Sequence, residues 1–216
     1  MRGLIACERS AIIRDAFRAL GHDFYSCDIE PCEAGPAFHF QKDVFQCIEE
    51  DGPFDFFGVH PECRFLTVSG FHWNYRQPER AAKTDDALIF AKRCFALCEC
   101  HKFAYLENSV SILSTRIKEP TQTIQPYDFG EDASKRTCLW LWNLPRLEST
   151  MRIPGRKVEW PKGSGNIVER WSNQTDSGQN KLGPSETRSM DRARTYYGIA
   201  KAMAEQWTNV RQLALI

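Results

Sequence analysis

The chain has 216 residues, 42% hydrophobic and 12% aromatic, which is enough for one domain with a substantial buried core. Lys plus Arg and Asp plus Glu number 28 each, so no global basic field draws in polynucleotide, and any such contact must come from a local patch. No stretch approaches the roughly 20 apolar residues of a membrane span. The apolar run in MRGLIACERS is too short for a signal peptide, and nine cysteines without framework spacing fit reduced thiols. The expectation is a cytoplasmic protein with no membrane partner.

In chain order, residues 3–7 read as a short buried strand. Ile12, Ile13, Ala16, Phe17 and Leu20 then recur at helical spacing, with Gly21 placed to end the helix. HDFYSCDIEP reads as a second strand ending in Asp28 and Glu30. Strand, loop, helix and strand with a terminal acid open a parallel α/β unit. Further strands are expected around residues 38–40 and at 54–59. Residues 81–100 predict a long helix burying Ala82, Leu88, Ile89, Ala91, Phe95 and Leu97. KFAYLENSV and RTCLWLWNL read as strands. Residues 150–194 turn polar and rich in Gly, Ser, Asn and Arg, which predicts a long loop or insertion. YYGIAKAMAEQW closes the chain as a helix carrying Ile199, Ala202, Met203 and Gln206.

Chemistry-bearing residues gather at the predicted carboxyl ends of the strands, where open α/β sheets place their ligands. They are Cys7-Glu8-Arg9-Ser10, Asp28, Asp43, His60-Pro61-Glu62-Cys63 and Glu107-Asn108. An acid ending the second strand commonly accepts hydrogen bonds from a ribose; alone, Asp28 reads equally well as a solvated loop acid. Cys63 alone is a cysteine at a strand end, and Cys94, Cys98, Cys100 and His101 read as core cysteines on a helix rather than a metal site, since no second pair with zinc spacing accompanies them. Trp140 and Trp142 alternate along a strand and should pack on a neighbouring layer.

Taken in order, these segments resemble the catalytic domain of the S-adenosylmethionine-dependent cytosine C5 methyltransferases, in a small form of the phage-encoded kind. ACERSAIIRDAFRALGHDFYSCDIEP is similar to the cofactor-binding opening, KDV at 42–44 to the segment whose Asp meets adenine, PEC at 61–63 to the Pro-Cys loop, ENSV at 107–110 to the Glu-Asn-Val motif, and DFGEDASKRTCLWL to a later segment with arginines before a strand. The resemblance implies an α/β fold with a doubly wound, mostly parallel sheet, Rossmann-like and of the class I methyltransferase type. It implies S-adenosylmethionine held by Ala6, Cys7, Glu8, Arg9, Ser10, Asp28, Ile29, Asp43, Val44, His60 and Pro61. It implies catalysis by Cys63 as nucleophile and Glu107 as the acid at N3, with Asn108 holding the loop and Lys135 or Arg136 bracing the base or a phosphate. Thiolate addition at C6 makes C5 an enamine carbon able to take a methyl group, and protonation at N3 lowers the barrier. A base in a duplex would have to be flipped out to reach such a site.

The chain departs from that pattern at several places. Glu62 stands where the family has Pro, and a carboxylate beside Cys63 disfavours thiolate unless Arg64 or substrate offsets it. The first loop has no glycine, and Ser109 takes the third position of the Glu-Asn-Val motif. The only stretch available to read a target is about 150–194, where Arg170, Lys181, Arg188, Arg192 and Arg194, together with Glu62 and Ser69 nearer the cysteine, are candidate substrate contacts. The expected substrate is cytosine in DNA, with a free nucleotide such as dCMP as the alternative. A catalytically inactive binding protein of the same fold, or a thiol enzyme without the cofactor, are the other classes. A homodimer or a separate target-recognition partner could complete the reading surface.

Overall fold

Alternation along the first strand sets the architecture. In β1 (Arg2–Ala6), Leu4 and Ala6 enter one apolar cluster and Ile5 the other, all fully buried. A strand with no polar face has to be covered on both sides. The computed structural model, which describes residues 1–183 and 195–208, shows this arrangement: a seven-stranded sheet between two helical layers. The candidate contacts Arg188, Arg192 and Arg194 lie outside the described residues.

The remaining strands are β2 (Asp23–Asp28), β3 (His39–Gln41), β4 (Phe56–Val59), β5 (Phe103–Ser109), β6 (Gln122–Ile124) and β7 (Thr137–Trp142), in the order β3-β2-β1-β4-β5-β7-β6. The first five are parallel, while β7 runs antiparallel to both β5 and β6. The expected doubly wound, mostly parallel sheet is therefore present, compatible with a Rossmann-like fold. Its order reverses between β1 and β4, which makes their carboxyl ends the place where such sheets bind ligands.

One face carries α2 (Val44–Asp51) and α4 (Pro78–Cys100), which bury Val44, Cys47, Ala91, Cys94, Phe95 and Cys98 against the sheet. The other carries α1 (Ile12–Ala19) and, after the one-turn α5 (Leu113–Arg116) that follows β5, α6 (Tyr197–Thr208); their Phe17, Ile199, Met203 and Trp207 pack on Phe24, Phe56 and Tyr105. Gly21 takes a φ of 82° just past α1, as a C′ glycine does. In α4 the buried stripe runs through Thr84, Ala91, Cys94, Phe95 and Cys98, whereas Ala82 and Ile89 face solvent, so the stripe lies to one side of the expected one. Cys100 is exposed, and His101 stacks on Phe57 with ring centroids 4.8 Å apart. Trp140 and Trp142 both meet Phe95 edge-on, packing on the neighbouring helical layer as expected.

Residues 150–183 are not the simple loop that their composition predicts. They hold an antiparallel ribbon of β8 (Arg156–Glu159) and β9 (Ile167–Arg170). The ribbon is tied down by Trp171, which stacks on Tyr127 at 3.8 Å and donates to the Ile153 carbonyl at 3.0 Å. Two four-residue strands without a single buried position offer too little apolar alternation to stand out in sequence. Asn173 clasps the backbone of Ser134 from both sides, donating to its carbonyl and accepting from its amide. Among the described residues, no helix is long and apolar enough to cross a membrane.

Candidate active site

Two loops at the carboxyl edge of the sheet are stitched into one unit. The loop after β4 runs His60-Pro61-Glu62-Cys63, and the Cys63 carbonyl closes a turn by accepting from the amides of Leu66 and Thr67, both at 3.0 Å. Asn108, buried near the end of β5, donates Nδ2 to the Pro61 carbonyl at 2.9 Å. The Ile112 amide donates to the Leu66 carbonyl at 2.9 Å, the Val68 amide to the Val110 carbonyl at 3.3 Å, and Thr67 bridges Ser111. Asn108 thus ties the end of β5 to the loop that carries Cys63. Cys63 is half-buried, while Glu62 and Ser69, on the short α3 (Val68–Phe71), face solvent. The exposed Glu62 charge is screened by water, which weakens its influence on its neighbour.

Glu107 leaves β5 on the opposite face from Asn108, as strand alternation requires. It borders a small cleft with Ile13, Lys135, Thr137, Tyr196 and Met203. Burial pushes its carboxyl above the ordinary range, and the Lys135 cation works against that. Of the two basic candidates just before β7, Lys135 borders the same cleft as Glu107, whereas Arg136 is exposed. The structure thus brings Lys135, not Arg136, to Glu107.

Tyr105 belongs to this site but to none of the sequence motifs. Two residues before Glu107 on the same face, it is fully buried, and its hydroxyl lies 2.8 Å from His60 Nε2. Burial, then the charges of Glu8 and Glu107, push this phenol well above its usual pKa. Burial and the Lys135 cation push His60 down to about 3, so the imidazole is neutral at neutral pH. The result is a buried phenol hydrogen-bonded to a neutral, half-buried imidazole on the face of β5 that carries Glu107. Only the two-residue spacing from Glu107 signals Tyr105 in the sequence, and that spacing equally describes a core aromatic.

At the switch point, the His60 amide donates to the Ala6 carbonyl at 3.1 Å, and the Glu8 amide to the Cys27 carbonyl at 3.3 Å. The loop after β1 lacks glycine yet adopts glycine-like turns, with left-handed φ of 57° at Cys7 and 60° at Ala11. Such positions persist only where surrounding structure enforces them. Here the Glu8 carboxylate does so, accepting from the amides of Ile13 at 2.7 Å and Arg14 at 3.2 Å. Glu8 is turned inward against the start of α1; Arg9 and Ser10 beside it are half-buried. Asp28 ends β2, with Oδ1 accepting from the Glu30 amide at 2.9 Å, and desolvation raises its pKa against the pull of that amide and of Arg9. Ile29 is 70% exposed, Asp43 caps α2 through the Phe45 amide at 2.9 Å, and Val44 is buried beneath it.

Burial raises the Glu8 carboxyl to about 7, against the two amides and Arg14 that pull it down. The folded state therefore keeps this proton to higher pH than the unfolded chain. The contribution of Glu8 to stability is greatest below pH 4.5, declines as pH rises toward 7, and is flat above. The expected loss across that window is roughly 3 kcal/mol. Urea midpoints measured between pH 4.5 and 8 should fall accordingly, and Glu8→Gln should flatten the decline.

No family model and no curated protein matches the chain. The sheet order, the stitched loops and the His60–Tyr105 pair beside Glu107 are the features that bear on its chemistry.

Proposed function

We propose that the chain transfers a methyl group from S-adenosylmethionine to C5 of cytosine in DNA. One observation carries this reading: the Cys63 loop and the Glu107–Asn108 strand end are hydrogen-bonded together at the carboxyl edge of a doubly wound sheet, next to its switch point between β1 and β4. A nucleophile-bearing loop and a desolvated carboxyl are the two groups that C5 methylation needs. The order of the seven strands, with β7 antiparallel, is compatible with the class I methyltransferase sheet that the resemblance implies.

The residues at the switch point suit the cofactor. Asp28 keeps a carboxylate at the end of β2 for a ribose, and the left-handed turns at Cys7 and Ala11 let a loop without glycine follow a tight path beside it. Ala6, Cys7, Asp28, Asp43 and Val44 would hold the cofactor, which when bound supplies an electrophilic methyl group. Glu8, committed to α1, would shape this loop rather than touch the ligand. In the reaction, the Cys63 thiolate would bond to C6 of the base while Glu107 delivers its proton to N3. C5 would then take the methyl group as its bond to the cofactor sulfur breaks and S-adenosylhomocysteine leaves; N3 returns its proton to Glu107, and loss of the C5 proton to solvent re-forms the C5–C6 double bond and expels the thiolate. Lys135 would steady the Glu107 carboxylate once its proton has left.

The same chemistry on a free pyrimidine nucleotide is the second reading, favoured by the ribbon of residues 150–183, whose arginines are largely occupied within the protein. The experiment is mass spectrometry after incubation with the cofactor and either 5-fluorocytosine-containing DNA or 5-fluoro-dCMP. Fluorine at C5 blocks the last elimination, so a working enzyme remains bonded to its substrate at Cys63. An adduct with DNA upholds the proposal, an adduct with the nucleotide alone moves it to the monomer, and none with either leaves a binding protein.

A further inference from the structure

The segment following Cys63 carries a surface that the chemistry above does not use. Phe65 is ringed by cations, with the Arg64, Arg80 and Lys83 head groups 5.4, 5.2 and 5.8 Å from its centroid. Arg76 lies 5.9 Å from the Trp73 ring. Trp73 is 43% exposed and Tyr75 86%. Residues 64–83 hold four cations and a single acid, Glu79, with Asp85 and Asp86 just beyond. Among the described residues, Arg64, Arg76 and Lys83 enter no ion pair. Cations lying on aromatic faces rather than on carboxylates keep their charge available to an incoming anion.

The stretch expected from sequence to contact substrate is different. In the ribbon, Arg152 pairs with Asp128 at 3.0 Å and Glu169 at 2.7 Å, and Arg156 with Asp176 at 2.6 Å. Arg170 donates to the carbonyls of Asp176 and Glu169. These guanidinium groups hold the ribbon in shape.

Behind the aromatic surface lies a cavity of about 370 Å³, bordered by Phe71, Asn74, Tyr75, Thr84, Asp85 and Arg116. Asn74 donates Nδ2 to Thr84 Oγ1 at 2.9 Å, and its Oδ1 is buried with no hydrogen-bond partner.

We propose that the surface from Arg64 to Lys83 binds single-stranded DNA, holding the strand on either side of the base presented to Cys63. Exposed aromatic rings can stack only on bases whose faces are open, and cations placed between them meet the phosphates. A duplex hides those faces, and a mononucleotide spans too little of the surface. The binding rests on the geometry of this segment, and its link to catalysis rests on the methyl-transfer reading.

Fluorescence anisotropy with a labelled single-stranded oligodeoxynucleotide, its duplex and dCMP as competitor tests the proposal. The single strand should bind best. Trp73→Ala and Tyr75→Ala should each weaken it roughly five- to a hundredfold, and Arg76→Ala should also lower the slope of log affinity against log salt by about 0.7. These side chains are exposed, so unchanged thermal melts will show that the variants fold. Undiminished binding in these variants, or a loss instead from Lys157→Ala and Lys162→Ala on the ribbon, overturns the proposal. A strand bound by the wild type and released by the variants, yet never joined to Cys63 when it carries 5-fluorocytosine, keeps the surface and removes the methyl-transfer reading. An adduct that forms while the variants bind normally does the reverse.

Discussion

Glu107→Gln is expected to lower methyl transfer by roughly 10²- to 10⁴-fold, the usual loss when a positioned general acid is removed, and Cys63→Ser to leave no measurable turnover. The two losses should not add, because both groups act on one ring in one step. Full transfer by Cys63→Ser would end the covalent mechanism. The pH profile supplies a second check. Burial raises the Glu107 carboxyl above its ordinary value, so its proton is present at low pH and leaves at a higher pH than that of a solvated glutamate. The rate should therefore fall on the alkaline side of that raised pKa. The limb should vanish in Glu107→Gln and move to higher pH in Lys135→Met, since Lys135 is the cation that lowers it. Rates of tritiated methyl incorporation across the pH range measure all three.

Trp207→Ala is expected to cost about 3–5 kcal/mol of stability, the range for emptying a large aromatic site in a core. Trp207 is 1% exposed, lies 5.0 Å from Tyr105 between ring centroids and donates Nε1 to the Pro145 carbonyl at 3.0 Å. Truncation would leave a cavity against the sheet and an orphaned carbonyl. It should also loosen α6, whose Ile199 and Met203 wall the cleft beside Glu107. Urea denaturation should show a lower midpoint with an unchanged slope, and Trp207→Phe should recover part of the loss. A shift below about 1 kcal/mol would mean that α6 does not anchor this face.

Local patterns in the sequence determined much of this molecule. Apolar runs with β-branched or aromatic residues marked β1, β2, β4, β5 and β7, and helical spacing marked α1, α4 and α6, because burying a strand or a helix stripe imposes a period on neighbouring residues. The same periodicity, with acids and a cysteine at strand ends, marked which loops carry the chemistry-bearing side chains. Short or exposed elements, α2, β6 and the β8–β9 ribbon, bury too little to leave such a period. What side chains meet across the sheet was decided only in three dimensions. The bond from Asn108 to Pro61 spans 47 residues and that from His60 to Tyr105 spans 45. Glu8 turns inward because the open amides of α1 lie there, and Lys135 rather than Arg136 borders the cleft beside Glu107. Residue types and local periods belong to the chain itself, but partners far apart in sequence are chosen by strand order, register and packing.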